Sequence, residues 1–291
     1  MDLFIRILIN GITQGVIYAL MALGYSVIVG ITGLVTFVHG DVIMVGAFAA
    51  YFAFSIVGSN VLIGIVSAFI AAGLLGILVY KICYERFLNM PRHIALVCTI
   101  GMSMVIKNMA QIIFGPNQKP MINIIENSFY EFGPIQISLM QVYILLTVIV
   151  LSLALSFFFN KTKYGIAMRA VAQDKTAANL MGIDVKKSAL LGNVIGCGLA
   201  GVAGVLLSLY YQTLQATMGG PLGMKAFSAS VLGGLTDTRF SSLGGLIIGL
   251  IENLGIYFSA SSYRDIFAFV FLITMLIIKP TGFKTKKGTR P

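Results

Sequence analysis

The sequence predicts an all-α, polytopic membrane protein of about eight to nine transmembrane helices with broken or re-entrant segments, and three observations carry that reading. Apolar residues make up 58% of the 291 positions, with a mean hydropathy of +0.94. Charged residues are only 10% of the chain, against roughly 25% in a soluble domain. Apolar runs of about 20 residues also recur from one end to the other, the length a helix needs to cross hydrocarbon with every backbone group bonded inside its own segment. Residues 1–291 therefore read as a single transmembrane domain with a polar loop at 160–187 and no separate soluble unit.

The first run, 5–30, continues as a helix without the short apolar core and small-residue cleavage site of a removable signal, so it reads as a span. Spans follow at 36–57, 61–82 and 94–114, the last carrying Lys107, Asn108 and Gln111 near its outer end, where a long lysine reaches the interface. Further spans are expected at 139–159, 188–212, 243–260 and 264–279. A segment at 222–236 is too short and glycine-rich to assign from hydropathy. Gly30, Gly33, Gly219, Gly220, Pro221 and Gly223 mark places where helices unwind, and broken helices present backbone donors and carbonyls to a polar solute.

Orientation follows from lysine and arginine, which are retained on the cytoplasmic side. Lys81, Arg86 and Arg92 fall in one loop, Lys161, Lys163, Arg169, Lys175, Lys186 and Lys187 in a second, and Lys279, Lys284, Lys286, Lys287 and Arg290 at the end. Two spans separate the two loops, which keeps them on one side. Three clear spans separate the second loop from the tail, an odd number, so the tail returns to the cytoplasm only if 222–236 also crosses. Nine crossings with an outside N-terminus are expected. The net charge of +10 is thereby a matter of topology rather than of nucleic-acid binding.

Glycines four apart, Gly11 with Gly15, Gly192 with Gly196 and Gly245 with Gly249, let two helix backbones approach closely in lipid. His39, Gly40, Asp41 and Glu252 are candidates for a translocation path or gate, because ionisable groups inside a span are costly. The alternative is that they bond neighbouring backbone where helices break. Cys83, Cys98 and Cys197 show no paired or metal-ligand spacing, and His39 and His93 stand far apart. A phosphate-binding loop of the Gly-x-x-x-x-Gly-Lys-Ser/Thr type does not occur, so no ATP hydrolysis is expected of this chain.

The polar loop holds RAVAQDKTAANLMGID. Asp174 reads as the start of a short helix through Lys175, Thr176, Ala177, Ala178, Asn179, Leu180 and Met181, with Gly182 as its stop. The alanines, Leu180 and Met181 are too little to fold alone and too small for a membrane-surface helix. They suit insertion into a groove on a cytoplasmic partner.

This loop, followed by GNVIGCGLAGVAGVL, resembles the coupling loop and next helix of ABC-importer permeases for branched-chain amino acids. The same family is resembled by NGITQGVIYALMALGYSVIVGITGLVTFVHGDVIMVGAF, with Phe37, His39, Gly40 and Asp41 as its Phe-x-His-Gly-acid motif. YERFLNMPRHIALVCTIGMSMVIKN, GMKAFSASVLGGL and GGLIIGLIENL resemble further family segments, so the likeness covers nearly the whole chain. The turn from Thr236 through Asp237, Thr238, Arg239, Phe240 and Ser241 to Ser242 departs from the family's Gly-Ser-Ile-Pro-Gly-like pattern.

The resemblance implies an H-type permease subunit of a high-affinity leucine, isoleucine and valine importer in a bacterial inner membrane, with a cytoplasmic C-terminus. It implies a second related permease, two cytoplasmic ATPases that bind ATP and Mg, and an extracytoplasmic binding protein as partners. Arg169, Asp174, Ala177, Ala178, Leu180, Met181 and Gly182 would couple this chain to an ATPase. No cofactor is expected in the chain itself. Rival readings are a permease for urea or amides, an ion-coupled secondary transporter using Asp41 or Glu252, and a membrane enzyme, for which no cluster of acid, base or metal residues is found.

Overall fold

The computed structural model describes residues 2–58, 60–87, 90–122, 129–132, 135–258 and 263–278. Among these, eleven α-helices follow in order: α1 (Asp2–Thr32), α2 (His39–Val57), α3 (Val61–Val79), α4 (Arg92–Phe114), α5 (Leu139–Lys161), α6 (Lys163–Gln173), α7 (Lys175–Leu180), α8 (Val185–Tyr211), α9 (Gly219–Leu232), α10 (Thr238–Phe258) and α11 (Arg264–Ile278). A π turn, Tyr80–Tyr84, extends α3. Short strands β1 (Lys119–Pro120), β2 (Phe129–Phe132), β3 (Ile135–Ser138) and β4 (Thr213–Leu214) form two antiparallel pairs, β1 with β4 and β2 with β3. The tail lysines and Arg290 lie outside the described residues.

Local sequence explains where several helices start. Asn60 caps α3 by accepting the Leu62 N–H at 3.0 Å. Ser138 and Gln141 form a reciprocal capping box that opens α5 just as its apolar run begins. Among the described residues, seven helices are long and apolar enough to cross a membrane: α1, α2, α3 with its π turn, α4, α5, α8 and α10. α1 and α8 are the most buried of them, and α4 and α5 the least.

The bundle has two distinct ends. One carries α6 and α7, where Lys175 Nζ donates to the Thr32 carbonyl at 2.6 Å and the Tyr80 hydroxyl to the Lys186 carbonyl at 2.9 Å. The other carries the strand pairs, and there Gln141 donates to Asn10 Oδ1 at 2.8 Å. Among the described residues the chain passes between these ends eight times, by α1, 33–57, α3, α4, α5, α8, 212–232 and α10, and α11, with 15 residues, starts back from the end that carries the strand pairs. The expected crossing at 222–236 is corrected in its make-up: α9 spans Gly219–Leu232 and residues 233–237 form a turn. With 14 residues, α9 is about 21 Å long, short of the roughly 30 Å of hydrocarbon. The non-helical stretch 212–218 supplies the rest of the pass. Likewise the span expected at 36–57 is helical only from His39.

Glycine replaces burial against water as the means of holding this fold together, since lipid offers no hydrophobic drive between helices. A Cβ on Gly249 would strike the Gly15 backbone, one on Gly15 would lie 2.8 Å from the Leu246 carbonyl oxygen, and one on Gly245 would strike Ala19. Gly11 sits against Leu250 and Asn253, so all four glycines lie in the α1–α10 contact. Gly196 faces Gly24 and Ile28, and Gly192 faces Ile31, closing α8 onto α1 in the antiparallel sense.

The two halves of the chain repeat one arrangement with opposite direction. α8 packs against α2 and α3 as α1 packs against α9 and α10. Gly40 of α2 and Gly219 of α9 face each other, each backbone in the other's Cβ position. Setting 40 against 219 aligns Ala47 with Ala226, Phe48 with Phe227 and Ala50 with Ala229. This is an inverted-topology repeat, and α2 and α9 are its two broken helices.

Candidate functional site

At the end that carries α6 and α7, Thr162 turns the chain out of α5 by accepting the Gly165 N–H at 3.0 Å. Asp174 then caps α7: its Oδ1 accepts from Thr176 at 2.8 Å and Ala177 at 3.0 Å. Gly182, at φ +79°, ends the helix in the left-handed conformation that glycine adopts without strain. Asp184 caps α8, and the hydrogen bond from the Lys187 backbone N–H holds its carboxyl below the usual carboxylate range.

The side chains of α7 divide in a way the sequence reading did not anticipate. Leu180 and Met181 are 83% and 82% exposed, whereas Ala178 is buried; Ala177 is exposed. Positions 177, 180 and 181 share a helical face, and 178 lies about a quarter turn round from it. Ala178 therefore belongs to the chain's own packing rather than to an outward docking face. Arg169 lies on α6, not on α7, and its guanidinium donates to Asn160 Oδ1 at 3.0 Å. Both line a cavity of about 710 Å³ between the ends of α1 and α5, α6 and the turn before α10, with Ser156, Thr236, Asp237 and Ser242 also on its wall.

At the junction of the broken helices, the glycine contact lets the N-termini of α2 and α9 meet. His39 is 1% exposed and its Nε2 bonds the Met21 carbonyl at 3.1 Å, so this histidine fastens α2 to α1. Asp41 is 3% exposed, and its Oδ2 accepts from the Ser103 hydroxyl of α4 at 2.5 Å. Its Oδ1 lies beside Gly219.

Glu252 occupies a different environment, an ionic cluster. Lys225 of α9, 4% exposed, donates to Glu252 Oε1 at 2.7 Å and to the Tyr18 hydroxyl at 3.2 Å, and pairs with Asp265 Oδ1 at 2.8 Å. An ammonium has three donors, and all three are engaged. Arg264 Nε lies 3.0 Å from the same Glu252 oxygen, and its NH1 donates to the Tyr211 hydroxyl at 2.5 Å. Gln14 Oε1 accepts from Asn253. Two cations face two carboxylates, and α1, α8, α9, α10 and α11 meet there. Glu252 thus joins helices through Oε1, while its buried Oε2 has no hydrogen-bond partner among the described residues.

Residues 7–278 match a family model described as the branched-chain amino acid transport system / permease component. The chain belongs to this permease family. It is 34% identical to the high-affinity branched-chain amino acid transport system permease protein LivH of Escherichia coli (strain K12), over 96% of this chain and 94% of that one. It is 33% identical to the corresponding permease protein BraD of Pseudomonas aeruginosa, over 96% and 95%. A probable LivH from Methanocaldococcus jannaschii is 28% identical over 97% and 93%. The solved structure of PsaBC from Streptococcus pneumoniae in complex with Fab aligns with a TM-score of 0.51 at 14% identity, over 94% of this chain and 91% of that one, a likeness of fold alone.

Three members of the permease's ionic cluster, Lys225, Arg264 and Asp265, escaped the sequence reading, as did Ser103 and the inverted repeat. A signal for Lys225 was present. A lysine in a glycine-rich stretch that must lie at bilayer depth requires an acid nearby, and Glu252 was the intramembrane acid already in view.

Proposed function

We propose that this chain is one permease subunit of an ATP-driven importer that carries leucine, isoleucine and valine across a bacterial inner membrane into the cell. The observation that carries the reading is the capped helix α7, in a chain belonging to this family, with Leu180 and Met181 83% and 82% exposed at the basic end of the bundle. Two apolar tips on so short a helix fit a receiving groove on another protein. The basic residues Lys161, Lys163, Lys175, Lys186 and Lys187 at that end assign it to the cytoplasm. With α11 read as a ninth pass, the N-terminus lies outside and the C-terminus in the cytoplasm.

In this reading a second, related permease completes the path, two cytoplasmic ATPases bind ATP and Mg and receive α7, and an extracytoplasmic protein delivers the amino acid. Closure of the ATPases pushes α7. Lys175, which ties α7 to the last carbonyls of α1, passes the displacement to the helix at the centre of both repeats. The test is purification of the tagged chain in mild detergent with mass spectrometry of its companions, for the native sequence and for Leu180→Asp/Met181→Asp. A phosphate-loop ATPase should accompany the native chain and be lost with the double variant, while the second permease stays bound. Recovery of the chain alone, with uptake that follows an ion gradient, would sink the proposal.

A further inference from the structure

We propose that Asp41 and Lys107 form the subunit's recognition pair for the amino-acid zwitterion, Asp41 Oδ1 receiving the α-ammonium and Lys107 Nζ the α-carboxylate. The inference rests on the importer reading above and adds the residues that hold the cargo in transit.

Asp41 commits Oδ2 to Ser103 and, among the described residues, forms no hydrogen bond through Oδ1, which faces the glycine start of α9. Lys107 stands one turn beyond Ser103 on α4. It lies within electrostatic reach of Asp41, yet among the described residues it forms no ion pair within 4 Å. Ser103 and Lys107, four apart on α4, lie about one helical turn from each other, so the ammonium and the carboxylate that Ser103 holds approach one another without pairing and leave both open to an α-carboxylate and an α-ammonium. This is the reverse of Lys225, whose donors are all engaged by the protein.

The surroundings are open where cargo would enter. A Cβ at Gly220 would meet nothing within 4 Å; Phe37, whose backbone N–H donates to Thr99 one turn before Ser103 on α4, is 39% exposed, and Met224, five residues after Gly219 on α9, is 38% exposed. α4 is the least buried of the long helices and carries Ser103, Lys107 and Gln111 at spacings of four, a polar stripe. Such a stripe, running from mid-span toward the outer end, suits a partner or a water-filled path better than lipid. Phe37 and Met224 offer apolar surface to an aliphatic side chain, while the charged pair reads only the atoms common to all α-amino acids.

The experiment reconstitutes the complete importer in proteoliposomes with saturating leucine-loaded binding protein and measures leucine uptake and ATP hydrolysis together. Losing one charge-assisted contact should cut uptake about tenfold or more in Lys107→Met and in Asp41→Asn, with ATP hydrolysis held within about twofold. Lys107→Arg should retain uptake. Unchanged uptake in Lys107→Met overturns the pair, and so does a parallel fall of uptake and hydrolysis, the mark of a structural role. Absence of ATP-dependent leucine uptake in the unmodified complex overturns the importer reading itself, an outcome distinct from both.

Discussion

α2 and α9 occupy equivalent places in the inverted repeat, yet they are held by different physics. α9 is anchored through Lys225 to carboxylates on α10 and α11 and to Tyr18 on α1. α2 packs through the glycine backbones at Gly40 and Gly46, bonds the Met21 carbonyl of α1 through His39, and meets α4 by the hydrogen bond from Ser103 to Asp41 and by the stacked rings of Phe48 and Phe114. A buried ion pair tolerates little displacement, because separating charges in a low dielectric costs far more than sliding one smooth backbone over another. The contrast teaches that α9 is held at the junction by charge, whereas α2 is held there by backbone packing, one histidine bond and apolar contacts, which yield to displacement at lower cost.

The largest expected effect comes from breaking the anchor. Glu252→Gln leaves Lys225 and Arg264 facing one partly exposed carboxylate, and removing one partner of a buried pair costs about 3–5 kcal/mol. The yield of folded protein in detergent should collapse on thermal challenge, while the paired change Lys225→Met/Glu252→Met recovers much of it. Equal losses in both variants would contradict the charge-balance account. Next comes Gly40→Val, which drives a branched side chain into Gly219 and Gly223 where the two half-helices meet. Overpacking of this kind costs about 1–3 kcal/mol, so a lowered midpoint of thermal unfolding is expected, and an unchanged midpoint would show that the joint already yields.

The smallest effect sharpens the comparison at the other end of each half-helix. α2 leaves through Gly58 at φ +113°, whereas α9 leaves through Gly234 and then Leu235 at φ +63°. A left-handed leucine stores about 1–2 kcal/mol, so Leu235→Gly should raise the unfolding midpoint slightly. A lowered midpoint would mean that the Leu235 side chain contributes more by packing than its backbone costs.

Hydropathy sufficed for the helical class and for the long spans, because the bilayer imposes a length rule on one segment at a time. The cap at Asp174 and the stop at Gly182 were equally legible, being local backbone chemistry. Lys225, Arg264 and Asp265 were not. Their meaning depends on partners brought together by the fold across five helices, and hydropathy averages a single lysine away among its apolar neighbours. Ala178 was misplaced for a related reason, since a six-residue helix has too few positions to show which face its own protein takes. The repeat went unseen because only a few small residues, such as Ala47 with Ala226, mark it in the sequence.

The ionic cluster also has a consequence for how the chain is made. Lys225 leaves the ribosome before either of its carboxylates, and Glu252 follows it 27 residues later. Until then α9 is a short helix carrying an uncompensated ammonium, which costs about 2.5–3.5 kcal/mol at the bilayer centre. It therefore waits at the membrane surface, or within the insertion machinery, and enters together with α10 and α11 as a late-assembling unit. Truncation after α9 should leave that segment outside the hydrocarbon, so the last quarter of this permease is threaded as a group rather than helix by helix.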